Sequence, residues 1–302
     1  MLDTWIALTL AASLIQNVRS VLQKNMTATL GVFGVTYARF LFAFPLTLVM
    51  LAAALQATGH PLPAPSASFF AYAVIGGVGQ ILGNLVFIRL IGFANFTIST
   101  TYAKTETVLA ALFSFIVLGD VLSGLGLGGV ALTFIGVLII AAAREKLTLR
   151  SLVMAVGDRG ALYGLAVGAT YAVASTCYRA ATLSLGGEGF AVQAIYSLAW
   201  VSFFQCALMG LWVGLRHPGV LSAILRGWRS AIWLGVTGVL ASACWYGAFA
   251  LEKAAYVLAV GHVELVFAYL SSRFLFKERA KAAEMGGILL TVTGILAVVL
   301  AP

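Results

Sequence analysis

The chain repeats itself at an offset of 158 residues, and the repeat carries an acidic residue into each of two otherwise apolar stretches. Glu106 stands opposite Glu264, Val108 opposite Val266, Ala110 opposite Ala268, Leu112 opposite Leu270 and Ser114 opposite Ser272. Farther along, Gly128 and Gly129 meet Gly286 and Gly287, Thr133 meets Thr291, and Gly136 meets Gly294. Asp120 meets Glu278 as a conservative pair. A fold for this sequence must accommodate the same unit twice, with an ionisable side chain at the same place in each. Duplicated units with ionisable residues inside apolar segments are marks of a transporter.

Composition says where the units fold. Of 302 residues, 62% are hydrophobic and 9% charged, whereas a water-soluble domain carries about a quarter charged residues. The apolar residues gather into runs near the ~20 residues that cross a bilayer. Such runs must be helices, because lipid offers no partner to an open backbone group. Hydropathy marks ten segments, at 4–22, 32–55, 69–90, 96–118, 124–143, 160–182, 190–214, 230–251, 255–276 and 282–300. The expected fold is an all-α polytopic membrane protein with ten transmembrane helices in two five-helix repeats. Five is odd, so the second repeat must be inverted relative to the first. The repeats are expected at 1–146 and 160–302, joined by a cytoplasmic linker at 147–159 whose Leu147–Val156 stretch could lie as an interfacial helix. The first apolar run, Trp5 to Val21, lacks a basic leader and reads as the first span.

Basic residues orient the chain. Twelve Lys and Arg fall at or between the ends of segments 1–2, 3–4, 5–6, 7–8 and 9–10, among them Lys24, Arg89, Arg216, Arg226 and Lys277. The alternate loops hold Lys253 alone. The positive-inside bias puts the odd-numbered loops in the cytoplasm and both termini outside. The net charge of +8 is spread over these loops, which suits a membrane surface rather than nucleic acid. Cys177, Cys206 and Cys244 lie inside predicted spans without metal-ligand spacing. Glycines spaced by four, at Gly79/Gly83, Gly124/Gly128, Gly160/Gly164/Gly168 and Gly210/Gly214, would let helix backbones approach closely. Pro45 is placed to kink segment 2, and Trp5 and Trp228 read as interface anchors.

An ionised Glu or Lys at the centre of a span costs ~2.5–3.5 kcal/mol on insertion scales, so these groups should face a cavity or one another. Lys104 lies about 200° around a helix from Glu106, and His262 takes its place beside Glu264. Tyr102 shares the Glu106 face. In one reading the glutamates take an ammonium or a proton while Lys104 and His262 take a carboxylate or titrate. In the other, Lys104 pairs with Glu264 and Glu106 stays protonated or bonds His262. Arg19, Arg179 and Arg273 sit near predicted span ends and read as interfacial.

These residues carry a resemblance. The stretch Tyr37–Val49, YARFLFAFPLTLV, resembles the Arg-containing second helix of the EamA type of the drug/metabolite transporter superfamily. Phe96–Ala142 and Cys244–Leu300 resemble its repeated signature, a helix pair with a short acidic turn (Asp120, Glu278) before a Gly-containing last helix. The resemblance implies a transporter or exporter of small metabolites in the inner membrane, often amino acids or related zwitterions. It implies that Arg39 contacts substrate or cavity carbonyls. It further implies that segments 1, 3, 6 and 8 line a central cavity with 4 and 9, which adds Gln16, Asn17, Gln80, Asn84, Tyr171, Trp245 and Tyr246 to the candidate set. Members commonly carry proline near the places held here by Glu106 and Glu264.

Other chemistries find no footing. There is no Gly-rich phosphate loop ending in Lys-Ser/Thr and no H-E-x-x-H, so neither a cofactor nor a metal nor an enzymatic activity is expected. The expected partners are a small solute, the bilayer and, if transport is coupled, protons, with a monomer or homodimer as the working unit. An organic-cation exporter is the competing transport reading, and a non-transporting scaffold or sensor subunit the competing one from another class.

Overall fold

The computed structural model describes residues 3–90, 102–144, 159–187, 189–266 and 282–301, and every regular element among them is an α-helix. The expected helix at 147–156, the linker up to residue 158, Arg273 and Glu278 lie outside the described residues, and Arg159, expected in the linker, begins a helix. In chain order the helices are α1 (Thr4–Thr58), α2 (Ala67–Leu90), α3 (Glu106–Leu118), α4 (Gly124–Arg144), α5 (Arg159–Ser184), α6 (Phe190–Arg216), α7 (Val220–Arg226), α8 (Trp228–Leu251), α9 (Ala254–Gly261) and α10 (Ala282–Val299). Five stretches among the described residues are long and apolar enough to cross a membrane: Thr4–Thr58, Ala67–Arg89, Gly124–Ala143, Phe190–Arg216 and Trp228–Leu251. The chain is a multi-pass membrane protein.

The first helix departs from expectation. No loop separates segments 1 and 2; the helix continues to residue 30 and breaks only at Gly31, at φ 66° and ψ 176°. Thr27 and Thr29 turn their hydroxyls back onto the carbonyls of Gln23 and Met26, a bond that satisfies them within a helix. Gly31 then takes the left-handed φ that other residues resist. Lys24 is therefore helical, not in a loop. Pro45 lies inside the second arm, which keeps helical dihedrals throughout. The unforeseen α7 sits in the expected loop between segments 7 and 8.

Burial is inverted relative to a soluble protein. Val49, Ile75, Ile116, Leu211, Leu215, Leu289 and Leu296 are exposed, whereas Thr9, Gln23, Arg39, Asn84, Gln205 and His262 are buried. An apolar exterior around a polar interior is the arrangement lipid favours. Trp228 stays exposed, but Trp5 is buried in the apolar core with Ile6 and Phe69 and is no surface anchor.

Glycine sets the closest approaches, though not always the expected glycines. A Cβ on Gly79 would stand 3.0 Å from the carbonyl oxygen of Thr170, and one on Gly83 2.9 Å from the ring of Tyr171, so α2 lies tight on α5. Gly124 and Gly128 face open space. In their place Gly129 and Gly136 seat α4 on α10: Cβ atoms there would stand 2.8 Å from Gly294 O and 2.7 Å from Gly287 O. The contact is reciprocal, with Gly287 against Gly136 O at 2.9 Å and Gly294 against Gly129 O at 2.7 Å. The rising residue number on α4 meets the falling one on α10, so the two helices run antiparallel. The remaining bundle wraps α1 against α8 and α6. This leaves the polar faces of α1, α2, α3, α5, α8 and α9 turned to a common interior.

Candidate functional site

Two helix interruptions place the charged residues. Tyr102 and Ala103 are helical, the chain turns at Lys104–Thr105, and α3 begins at Glu106. In the other half α9 ends at Gly261, the chain turns at His262, and helix resumes through Val266. Lys104 and His262 are equivalent under the 158-residue offset, so the same turn occurs twice. Tight backbone bonds close each turn, Thr105 N to Tyr102 O at 3.1 Å and His262 N to Ala259 O at 3.2 Å. Interrupted helices inside a membrane bundle are tolerated where they border a cavity.

The side chains at these turns meet across the halves, where α3 and α9 pack together. Lys104 Nζ donates to Glu264 Oε1 at 2.6 Å, an ion pair whose members are largely buried. His262 Nε2 lies 2.8 Å from Thr107 Oγ1. The alternative of a Glu106–His262 bond is not realised; the Glu106 side chain makes no hydrogen bond or ion pair with another described residue. It remains within electrostatic reach of Lys104 and Glu264.

A cavity of about 640 Å³ opens beside these groups. Glu106, Glu264, Lys104, His262, Arg39, Gln16, Asn17, Gln80, Asn84, Tyr171, Trp245 and Tyr246 all line it, and Tyr102 does not. The turn at Lys104–Thr105 interrupts the helical register, so the four-residue spacing no longer carries Tyr102 onto the Glu106 face. Its size suits a small molecule, and its wall sets many polar and charged side chains among apolar ones.

The amides and arginines form a second polar cluster. Asn84 accepts from Gln23 Nε2 at 3.3 Å and from Arg39 at 3.5 Å, and donates to Thr36 Oγ1 at 2.9 Å. Gln205 Nε2 reaches Gln80 Oε1 at 2.9 Å and Gly77 O at 3.1 Å. Gln16 Oε1 accepts from Trp245 Nε1 at 3.1 Å and from Arg19 at 3.2 Å. Tyr178 and Tyr246 stack with ring centroids 4.6 Å apart, as Trp245 and Phe249 do at 5.8 Å.

Sequence reasoning missed Arg19, Gln23, Tyr178 and Gln205. Arg19 was expected at an interface because its helix was expected to end at residue 22; with the helix running to 30, it stands about 16 Å from that end. Gln23 was assigned to a loop for the same reason. Gln205 carried a signal, an amide inside a predicted span. Arg179 lies near the end of α5, and its side chain is paired there. It forks onto Asp120 at 3.0 and 3.5 Å and donates to the carbonyls of Phe249 and Glu252, both at 2.7 Å. It thus joins α5, the turn after α3 and the C-terminus of α8, where a cation suits the free carbonyls.

Among the described residues no cluster of His, Cys, Asp and Glu could hold a metal ion. Residues 3–142 match the model of the EamA-like transporter family. A solved structure, titled only as the crystal structure of a protein, superposes with a TM-score of 0.67 at 18% identity, covering 98% of this chain and 96% of its own; the likeness is one of fold. No curated protein matches the chain.

Proposed function

We propose that this chain, a member of the drug/metabolite transporter superfamily through its EamA-like residues 3–142, is a secondary transporter of small amphipathic metabolites that carry both charges, such as amino acids. The carrying observation is the mixed sign of one cavity wall. Glu106 lines it with no bonded side-chain partner among the described residues, and Arg19 and Arg39 line it too. A carboxylate and an ammonium on one solute each find a counter-charge there, while the rings of Tyr171, Trp245 and Tyr246 offer apolar surface.

Ten transmembrane helices in two inverted repeats, 1–146 and 160–302 about the linker 147–159, give alternating access its moving parts. The antiparallel crossing of α4 on α10, with Gly129 on Gly294 and Gly136 on Gly287, is the contact a pseudo-two-fold axis would produce. The halves would rock about the Lys104–Glu264 and Thr107–His262 bridges. The basic loops set the odd side in the cytoplasm of a cell that places the protein in its inner membrane, with both termini outside. Proton coupling would use Glu106, a carboxylate on the cavity wall that can exchange a proton with water.

Flux of labelled amino acids into proteoliposomes, measured at two pH values, tests the reading. Transport that Glu106→Gln abolishes supports it; absence of flux for every zwitterion refutes it. Glu106, unbonded among the described residues, also favours a second reading, an organic-cation exporter, which quaternary-ammonium flux without zwitterion flux would establish.

A further inference from the structure

Arg19 is a charged cavity residue whose hydrogen bonds do not close among the described residues. Its side chain is buried, at 8% exposure, and lines the cavity. A guanidinium offers five N–H donors. One terminal nitrogen donates to Gln16 Oε1, but the buried Nε has no hydrogen-bond partner among the described residues. Gln16 Oε1 already accepts from Trp245 as well. A buried charged donor left unpaired is costly, and the group that best satisfies a guanidinium is a planar carboxylate.

The neighbouring charges point the same way. Lys104 is neutralised by Glu264, and Arg39 donates to Asn84. Among the described residues, Arg39, Tyr171 and Glu264 lie within electrostatic reach of Arg19. Among the described residues that line the cavity, three cations, Arg19, Arg39 and Lys104, face two carboxylates, Glu106 and Glu264. The surplus is cationic and lies on the Arg19–Arg39 side.

We propose that Arg19 receives the carboxylate of the solute, which makes a carboxylate, rather than an ammonium, the group the cavity requires. This deepens the transport reading and rests on it for the cavity being a solute site. The solute's apolar body would lie along Trp245 and Phe249, which stack at 5.8 Å next to Gln16.

Calorimetric titration of the full chain in detergent micelles tests this with three probes of one shape: phenylalanine, 3-phenylpropionate and phenylalaninamide. The wild type should bind the two acids and bind the amide at least about tenfold more weakly. Arg19→Gln should weaken both acids by about 10- to 100-fold and leave the amide unchanged, and Arg19→Lys should recover part of the loss. Equal binding of acid and amide by the wild type overturns the proposal, as does binding of neither acid. So does undiminished acid binding by Arg19→Gln. The acid–amide comparison uses the native chain and survives any folding defect in the variants. Failure of transport is a separate outcome: acid binding at Arg19 without flux would refute the transport reading alone, and flux indifferent to the carboxylate would refute this one alone.

Discussion

Lys104 and Glu264, 160 residues apart in the chain, close a 2.6 Å ion pair between the two halves. Each arises at a helix interruption, and each has its counterpart in the other half, His262 for Lys104 and Glu106 for Glu264. The counterparts do not pair. His262 bonds Thr107 instead, which leaves Glu106 to the cavity. Of two carboxylates equivalent under the 158-residue offset, the structure thus uses one as a bridge and leaves the other facing the cavity.

That division predicts different costs. Lys104→Met removes one partner of a largely buried pair and should destabilise the protein by about 3 kcal/mol. Lys104→Met with Glu264→Gln should cost less than the sum of the single changes, with a coupling of about 1–3 kcal/mol. Thermal unfolding in micelles across the four-member cycle measures this. Strict additivity would mean that the pair contributes nothing.

Glu106→Gln breaks no bond to a described residue, so its melting temperature should stay within a degree or two of wild type, corresponding to about 0.5 kcal/mol or less. Flux in proteoliposomes should fall at least about tenfold if the carboxylate binds solute or proton. A variant that melts early would identify Glu106 as structural.

The helix crossing makes a sharper mechanical prediction. Gly136→Ala and Gly129→Ala force a methyl against the backbone of α10 and should each cost about 1–3 kcal/mol through overpacking. Gly128→Ala, one position from Gly129 but facing open space, should be close to neutral. Melting curves of the three variants decide between this seating and the Gly124/Gly128 stripe that spacing alone suggested.

How much of this the sequence carried depends on the kind of signal. A charge in an apolar run is conspicuous, so Lys104, Glu106, His262 and Glu264 could be picked out at once. Hydropathy, however, equates polarity with water. Gln23 to Thr29 looked like a loop because the stretch is polar, yet Gln23 is polar because it faces Asn84 inside the bundle. Ending the first helix too early then displaced Arg19 from the middle of a helix to its edge. The choice of His262 for Thr107 rather than Glu106 depends on how α3 and α9 rotate against each other, which the pattern of a single chain does not encode. The same holds for the glycines: spacing by four marks a possible seam, but only the crossing of α4 and α10 selects Gly129 and Gly136.

Arg179 yields the last prediction. Its guanidinium serves three partners, the Asp120 carboxylate and the carbonyls of Phe249 and Glu252, and it is mostly buried. Arg179→Gln removes all of them, strands a buried carboxylate and two carbonyls, and should cost about 3 kcal/mol or more. Asp120→Asn keeps the carbonyl contacts and a polar acceptor in place and should cost about 1 kcal/mol. Arg179→Lys retains the charge but cannot fork onto a carboxylate and reach two carbonyls together, so it should fall between them. The order of melting temperatures is therefore Asp120→Asn above Arg179→Lys above Arg179→Gln. If Asp120→Asn proved as damaging as Arg179→Gln, the ion pair alone would hold this end of the bundle, and the bonds to the end of α8 would be incidental.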